Sequence, residues 1–121
     1  MKIYILILML FMHIVDDYYL QGILASMKQK LWWQNNYPNN KYKYDYIIAL
    51  ITHAFSWAVM TTAPLIIFNL GNIFVYIGFF INWIIHAIVD DFKANKFKIN
   101  LIQDQTIHIL QIVGLWALSF I

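Results

Sequence analysis

Residues 73–91 read IFVYIGFFINWIIHAIVDD, a nearly continuous apolar run that carries Asn82, His86 and Asp90 at four-residue intervals and ends on a second acid, Asp91. At ~1.5 Å of rise per residue such a run covers most of the ~30 Å of hydrocarbon in a bilayer. Groups four residues apart on a helix share one face, so Asn82, His86 and Asp90 form a polar stripe on an otherwise greasy rod. Polar and ionisable groups at membrane depth are expensive unless partners surround them. The stripe therefore predicts a helix packed into a bundle, its polar face inward and joined to similar faces.

Three further runs supply the rest of that bundle: Ile3 to about Ser26, Tyr46 to Leu70 and Leu101 to Ile121. The expectation is an all-α chain, residues 1–121 forming one integral membrane domain of four transmembrane helices at about 3–26, 46–70, 73–91 and 101–121, arranged as two helical hairpins. Composition points the same way, with 62% hydrophobic and 12% charged residues and a mean hydropathy of +0.63. That is too little polar surface for a soluble globule of 121 residues. Gln34 to Asn40, with Pro38 inside it, reads as a loop, and Asn69-Leu70-Gly71-Asn72 as a tight turn. Pro64 is expected to kink the second helix. The opening Lys2 and apolar run resemble a signal peptide, but His13 and Asp17 interrupt the run and no small-residue cleavage site follows, so no cleavage is expected.

Lysine placement orients the bundle. Lys28, Lys30, Lys41 and Lys43 fall in the first loop and Lys93, Lys96 and Lys98 in the third, against Lys2 alone on the other side. By the positive-inside rule both loops are cytoplasmic and both termini lie outside. Trp32, Trp33, Tyr37, Tyr42, Tyr44 and Tyr46 read as an interfacial aromatic belt.

The histidines and aspartates recur in a pattern. His13 and Asp17, His86 and Asp90, and Asp104 and His108 are pairs four residues apart on three of the helices, and His53 stands on the fourth. Given the orientation, every one of these groups falls in the cytoplasmic half, with His53 ~12 Å and His108 ~10 Å from the start of their helices. Gln21, Asn82 and Gln111 extend the same stripes, and Gln105 adjoins Asp104. A weak internal repeat links His13-Ile14-Val15-Asp16-Asp17 with His86-Ala87-Ile88-Val89-Asp90-Asp91, each followed by a helix bearing one histidine, as in a parallel duplication about the membrane normal.

Imidazoles and carboxylates drawn from several helices suit a divalent metal, zinc first, with manganese or iron as alternatives. The chain has no cysteine, which removes thiolate zinc, copper(I) and iron-sulfur sites along with any disulfide. Metal ligands are expected among His13, Asp17, His53, His86, Asp90, Asp104 and His108, enough for one or two ions. Gln21, Asn82, Gln105 and Gln111 are expected to support them. An unligated acid, Asp16 or Asp91, could serve as general base to a metal-bound water. Lys93 and the other cytoplasmic lysines would attract a phosphate-bearing substrate or anionic lipid.

The ordered motifs His13-x-x-x-Asp17-x-x-x-Gln21, a lone His53, His86-x-x-x-Asp90-x-x-Lys93 and Asp104-Gln105-x-x-His108 resemble a family of small bacterial and phage membrane proteins classed as a domain of unknown function. More loosely, they are similar to inner-membrane proteins labelled metal-dependent hydrolases. The resemblance implies a multi-pass protein of the bacterial inner membrane whose functional set is those motif residues, and it supplies no established reaction. The reading of first choice is a metal-dependent membrane hydrolase acting on a phosphate ester or lipid-linked compound near the cytoplasmic face. Two others compete with it: a small proton or cation transporter using the same groups as a relay, and a membrane accessory protein with a structural metal. The bilayer is the expected partner, a homo-oligomer is left open, and no nucleic-acid role is expected, because the lysines flank membrane segments and no binding module is present.

Overall fold

The computed structural model describes all 121 residues. The chain is helical throughout, with no strand. Helix α1 covers Lys2–Val15 and runs on as a single π-helical turn, Asp16–Leu20, before the chain breaks at Gly22, whose φ of 54° suits a residue without a Cβ. The first loop is more structured than its composition suggests. It contains short helices α2 (Leu24–Met27) and α3 (Lys30–Asn36) and a 3-10 turn at Asn40–Tyr42, while Trp32, Trp33, Tyr37 and Tyr42 pack ring against ring. The long helices that follow are α4 (Asp45–Ile67), α5 (Ile73–Ala94) and α6 (Leu101–Leu118).

Local chemistry sets several of these boundaries. The Asn72 side chain accepts the Val75 N–H at the start of α5, and Asn100 with Gln103 forms a reciprocal capping box at the start of α6. Helix α4 stops at Ile67 rather than Leu70, because Pro64 already removes one donor in its last turn and Asn69 turns left-handed with φ 58°. The first expected helix, about 3–26, is instead cut by the π-helical turn and by Gly22. Helix α5 gains a turn beyond Asp91, whose carboxylate accepts from Asn95 at 2.7 Å.

The long helices close a ring in the order α1, α4, α5, α6 and back to α1. Gly78 lets α5 approach α6 so closely that a Cβ there would lie 2.7 Å from Leu115 Cδ1. The interior divides along the bundle axis. One half is an apolar plug of Ile5, Met9, Trp57, Ala58, Leu65, Val75, Ile112 and Leu115. The other half buries His13, Asp16, His53, Asn82, His86, Asp90, Asp104 and His108. The outside is the reverse, with Ile3, Ile7, Phe11, Ile77, Phe80, Ile81 and Ile84 all exposed. Polar groups inside and apolar ones outside is the arrangement lipid demands and water opposes.

Three segments are long and apolar enough to cross a membrane: Lys2–Leu20, Asn40–Ile67 and Ile73–Ala94. Helix α6 falls short of that standard because Gln103, Asp104, Gln105, Thr106, His108 and Gln111 occupy its first three turns.

Candidate metal centre

The π-helical turn settles which of the paired acids Asp16 and Asp17 faces inward. Consecutive residues on a regular helix diverge by about 100°, so only one could. Widening the turn brings both round. Asp16 is 1% exposed and accepts a 2.5 Å hydrogen bond from Ser56 Oγ, its other oxygen lying 3.8 Å from His53 Nδ1. Asp17 sends Oδ1 to within 3.1 Å of His53 Nε2 and 3.9 Å of His86 Nε2.

Opposite Asp17, helix α5 brings Asp90. Its Oδ2 lies 3.4 Å from His53 Nε2 and 3.6 Å from His86 Nε2, and the two histidine nitrogens are 3.3 Å apart. Four atoms thus converge from three helices: Asp17 Oδ1, His53 Nε2, His86 Nε2 and Asp90 Oδ2. Ligands about 2.0–2.1 Å from a tetrahedral zinc are separated by roughly 3.3–3.4 Å. The separations within Asp17, His53 and His86, 3.1 to 3.9 Å, bracket that edge length, and Asp90 Oδ2 adjoins the two histidines at 3.4 and 3.6 Å. His53 and His86 are 1% and 0% exposed, and the buried Asp17 Oδ1 faces only their ring nitrogens. Such an oxygen is costly to bury unless a cation meets it. This donor set fits a divalent ion.

A second grouping adjoins it. His108 Nε2 is 3.3 Å from Asp90 Oδ1 and 3.3 Å from Asp104 Oδ1, so Asp90 faces one grouping with each of its oxygens. Its Oδ2 also receives Lys28 Nζ at 3.0 Å, and Lys93 Nζ is 3.8 Å from Asp104 Oδ2. The donor atoms of His86, Asp90 and His108 lie within 4.8 Å of one another, as do those of Asp17, His53 and His86.

His13 departs from the expected ligand role. Trp57 Nε1–H donates to His13 Nδ1 at 2.8 Å, which leaves the proton on Nε2, and that N–H points at Gln105 Oε1 2.9 Å away. Both ring nitrogens are thereby engaged and no lone pair remains for an ion. The 3.5 Å approach of Asp17 Oδ2 to the same Nδ1 is then only proximity. His13 is a hydrogen-bonded strut between α4 and α6.

The supporting residues divide similarly. Gln111 Nε2 donates to the Asn82 carbonyl at 3.1 Å, which turns Oε1 toward His108 Nδ1 at 3.1 Å, and Asn82 Nδ2 returns a bond to the Gln111 carbonyl. Gln105 Nε2 donates to Asp104 Oδ2. Gln21 only donates to the Asp17 carbonyl one turn back. Asp91 lies away from the cluster, because the residue after Asp90 faces another side of α5, and it binds Asn95 and Lys96 instead. A general-base role for Asp91 has no geometric support.

Sequence reasoning missed three contributors. Trp57 packs its ring against His86, centroids 4.1 Å apart and nearly parallel, while holding His13. Ser56 fixes Asp16, and Lys28, expected from sequence to mark topology and attract anions, also binds Asp90 within the centre. Trp57 lies four residues after His53, one turn along the same face, and that spacing was the available clue.

The centre opens on a cavity of about 190 Å³ lined by Asp17, Tyr18, Gln21, Lys28, Asp90, Lys93, Leu101, Asp104 and Gln105. Carboxylates and both lysines share its wall, and the exposed Tyr18 and Leu101 stand at its rim. A larger cavity, about 450 Å³, lies among the loop aromatics Trp33, Tyr37, Tyr42 and Tyr44 and holds no histidine or acid. Comparison with family models, with curated proteins and with solved structures gave no match.

Proposed function

We propose that the chain is a multi-pass protein of the bacterial inner membrane, with α1, α4, α5 and α6 all spanning, the lysine-rich loops cytoplasmic and both termini outside. In this reading it is a metal-dependent hydrolase of a phosphate ester or lipid-linked phosphate. The observation that carries it is the buried convergence of Asp17, His53 and His86, and of His86, Asp90 and His108, beside a cavity walled by Lys28 and Lys93. A divalent ion held there, zinc or else manganese or iron, would supply a water of lowered pKa. His53 and His86 would contribute ring nitrogens, and Asp16 Oδ2 lies 3.8 Å behind the second ring nitrogen of His53.

Lys28 and Lys93 give the cavity its affinity for anions, since each ammonium can exchange a carboxylate of the centre for a substrate oxygen. The cavity is smaller than the about 300–1,000 Å³ of pockets that enclose whole ligands. It therefore suits a phosphate group whose organic part stays outside, against Tyr18 and Leu101 at the rim. The polar half of the bundle stops at the apolar plug around Met9, Trp57 and Ile112, and the Thr61 hydroxyl within that plug is spent on the Trp57 carbonyl. A relay to the other face would have only the Thr61 and Thr62 hydroxyls to use there, which favours hydrolysis over transport.

The test is purified protein in detergent, analysed for bound metal and then given phosphatidic acid and p-nitrophenyl phosphate, with Asp17→Asn as control. Bound metal with phosphate release that Asp17→Asn abolishes supports the reading. Metal without turnover on either substrate would leave a structural role, and a metal-free protein that cannot be loaded removes the reading altogether.

A further inference from the structure

We propose that the centre holds two ions rather than one, with Asp90 bridging them, and that the second, at Asp90 Oδ1, His108 Nε2 and Asp104 Oδ1, is the one left open to substrate. The inference rests on the metal-dependent reading above and deepens it by dividing labour within the site.

The tautomer of His108 carries the argument. Gln111 is oriented by its own donation to the Asn82 carbonyl at 3.1 Å, so the atom it presents to His108 Nδ1 is the carbonyl oxygen Oε1. Nδ1 then bears a proton, and a neutral His108 turns its Nε2 lone pair to the centre, whereas an imidazolium would donate from Nε2 to the same acids. That lone pair meets Asp90 Oδ1 and Asp104 Oδ1, each 3.3 Å away. His108 is fully buried, Asp104 is 2% exposed, and Asp104 Oδ1 has no polar neighbour for a partner other than His108 Nε2. With His108 neutral, three electron-rich atoms face one another in a dry interior and repel unless a positive charge sits among them. The two separations from His108 Nε2, 3.3 Å each, match the edge of a tetrahedral coordination sphere, roughly 3.3–3.4 Å.

The two positions differ in their donors. Asp17, His53 and His86 give the first position three donors, with a contested fourth in Asp90 Oδ2, which Lys28 Nζ already meets at 3.0 Å. The position at Asp90 Oδ1 has three, the number that leaves room for water or substrate. Asp90 and Asp104 both line the cavity, and so does Lys93, 3.8 Å from Asp104 Oδ2. A carboxylate spanning two ions with one oxygen each is the arrangement of two-metal hydrolytic sites, whose ions stand about 3.5–4 Å apart. Charge agrees. Four carboxylates, Asp16, Asp17, Asp90 and Asp104, face two lysines, so one dication leaves the centre neutral and two leave it positive, as a dianionic phosphate requires. The substrate class for the open position is accordingly a phosphomonoester.

The experiment counts Mn²⁺ on detergent-purified, folded protein and records its electron paramagnetic resonance, for wild type, Asp104→Asn, His108→Gln and Asp17→Asn. Wild type is expected to bind about two Mn²⁺ per chain with an exchange-coupled spectrum. Asp104→Asn and His108→Gln should each bind about one and show the spectrum of an isolated ion. A single ion in wild type, or two coupled ions persisting in both Asp104→Asn and His108→Gln, overturns the proposal, the former meaning that His108 bridges the two acids as an imidazolium. If one variant does not fold, the other carries the comparison, and the wild-type count and coupling stand alone if neither does. These readouts are independent of turnover, so a protein with two coupled ions and no phosphatase activity refutes the proposed function while leaving the second site intact.

Discussion

Removing His13 tests the distinction between a ligand and a strut. In the structure His13→Leu deletes two hydrogen bonds, from Trp57 Nε1 at 2.8 Å and to Gln105 Oε1 at 2.9 Å. Gln105 lines the cavity, where water can replace the imidazole, so its share of the loss is small. Trp57 is 0% exposed and its indole N–H would be orphaned, which costs about 1–3 kcal/mol. Trp57→Phe alone leaves the opposite orphan, His13 Nδ1, at similar cost, with a further loss for the missing ring volume. In the double variant neither orphan exists. The two changes should therefore be less damaging together than their sum, with a coupling of about 1–3 kcal/mol in a double-mutant cycle. Unfolding titrations in mixed micelles measure the cycle, and metal analysis of the same samples measures the ions. The metal content of His13→Leu should equal that of wild type. A folded His13→Leu protein that has lost an ion, or a coupling near zero, would refute the assignment of His13 as a strut and restore it as a ligand.

Other expectations follow from the same geometry. Gly78→Ala places a methyl 2.7 Å from Leu115 Cδ1 and 3.3 Å from Leu118 Cδ1, so it should cost about 1–3 kcal/mol in unfolding titrations without changing metal content. Lys93→Gln removes a cavity cation that touches only the far oxygen of Asp104, and it should raise KM for a phosphate substrate several-fold while ion count stays the same. Because the chain lacks cysteine, single replacements at Asn39 and Gly71 report topology cleanly. A membrane-impermeant maleimide added to intact cells should label Gly71→Cys and spare Asn39→Cys, and the opposite pattern inverts the orientation.

The His/Asp spacing was legible because four-residue intervals specify a helix face whatever the neighbouring helices do. It could say that Asp90, His86 and Asn82 share a stripe, and that stripes on an apolar chain must meet. It could not say how a given imidazole is used. His13, His86 and His108 have the same sequence credentials, and what separates His13 is Trp57, a partner 44 positions away whose N–H takes the lone pair a metal would need. Asp16 and Asp17 show a different limit. Helical periodicity forces a choice between adjacent residues, and a π-helical turn cancels the choice by widening the helix where both are required. Lys28 shows a third. Its charge marks topology and attracts anions by sequence, yet Gly22 and two short helices fold the loop back until the ammonium reaches Asp90 Oδ2. The Asn95 side chain fastens that fold by bonding both the Lys28 carbonyl and the Lys30 N–H. A loop pinned in this way holds a cation over the same oxygen that an ion at Asp17, His53 and His86 would take as its fourth donor, so metal binding and the position of Lys28 are linked. Lys28→Ala should therefore bind Mn²⁺ more tightly than wild type at low ionic strength, because one competing cation is gone. An unchanged or weaker affinity would mean that lysine and ion occupy Asp90 together.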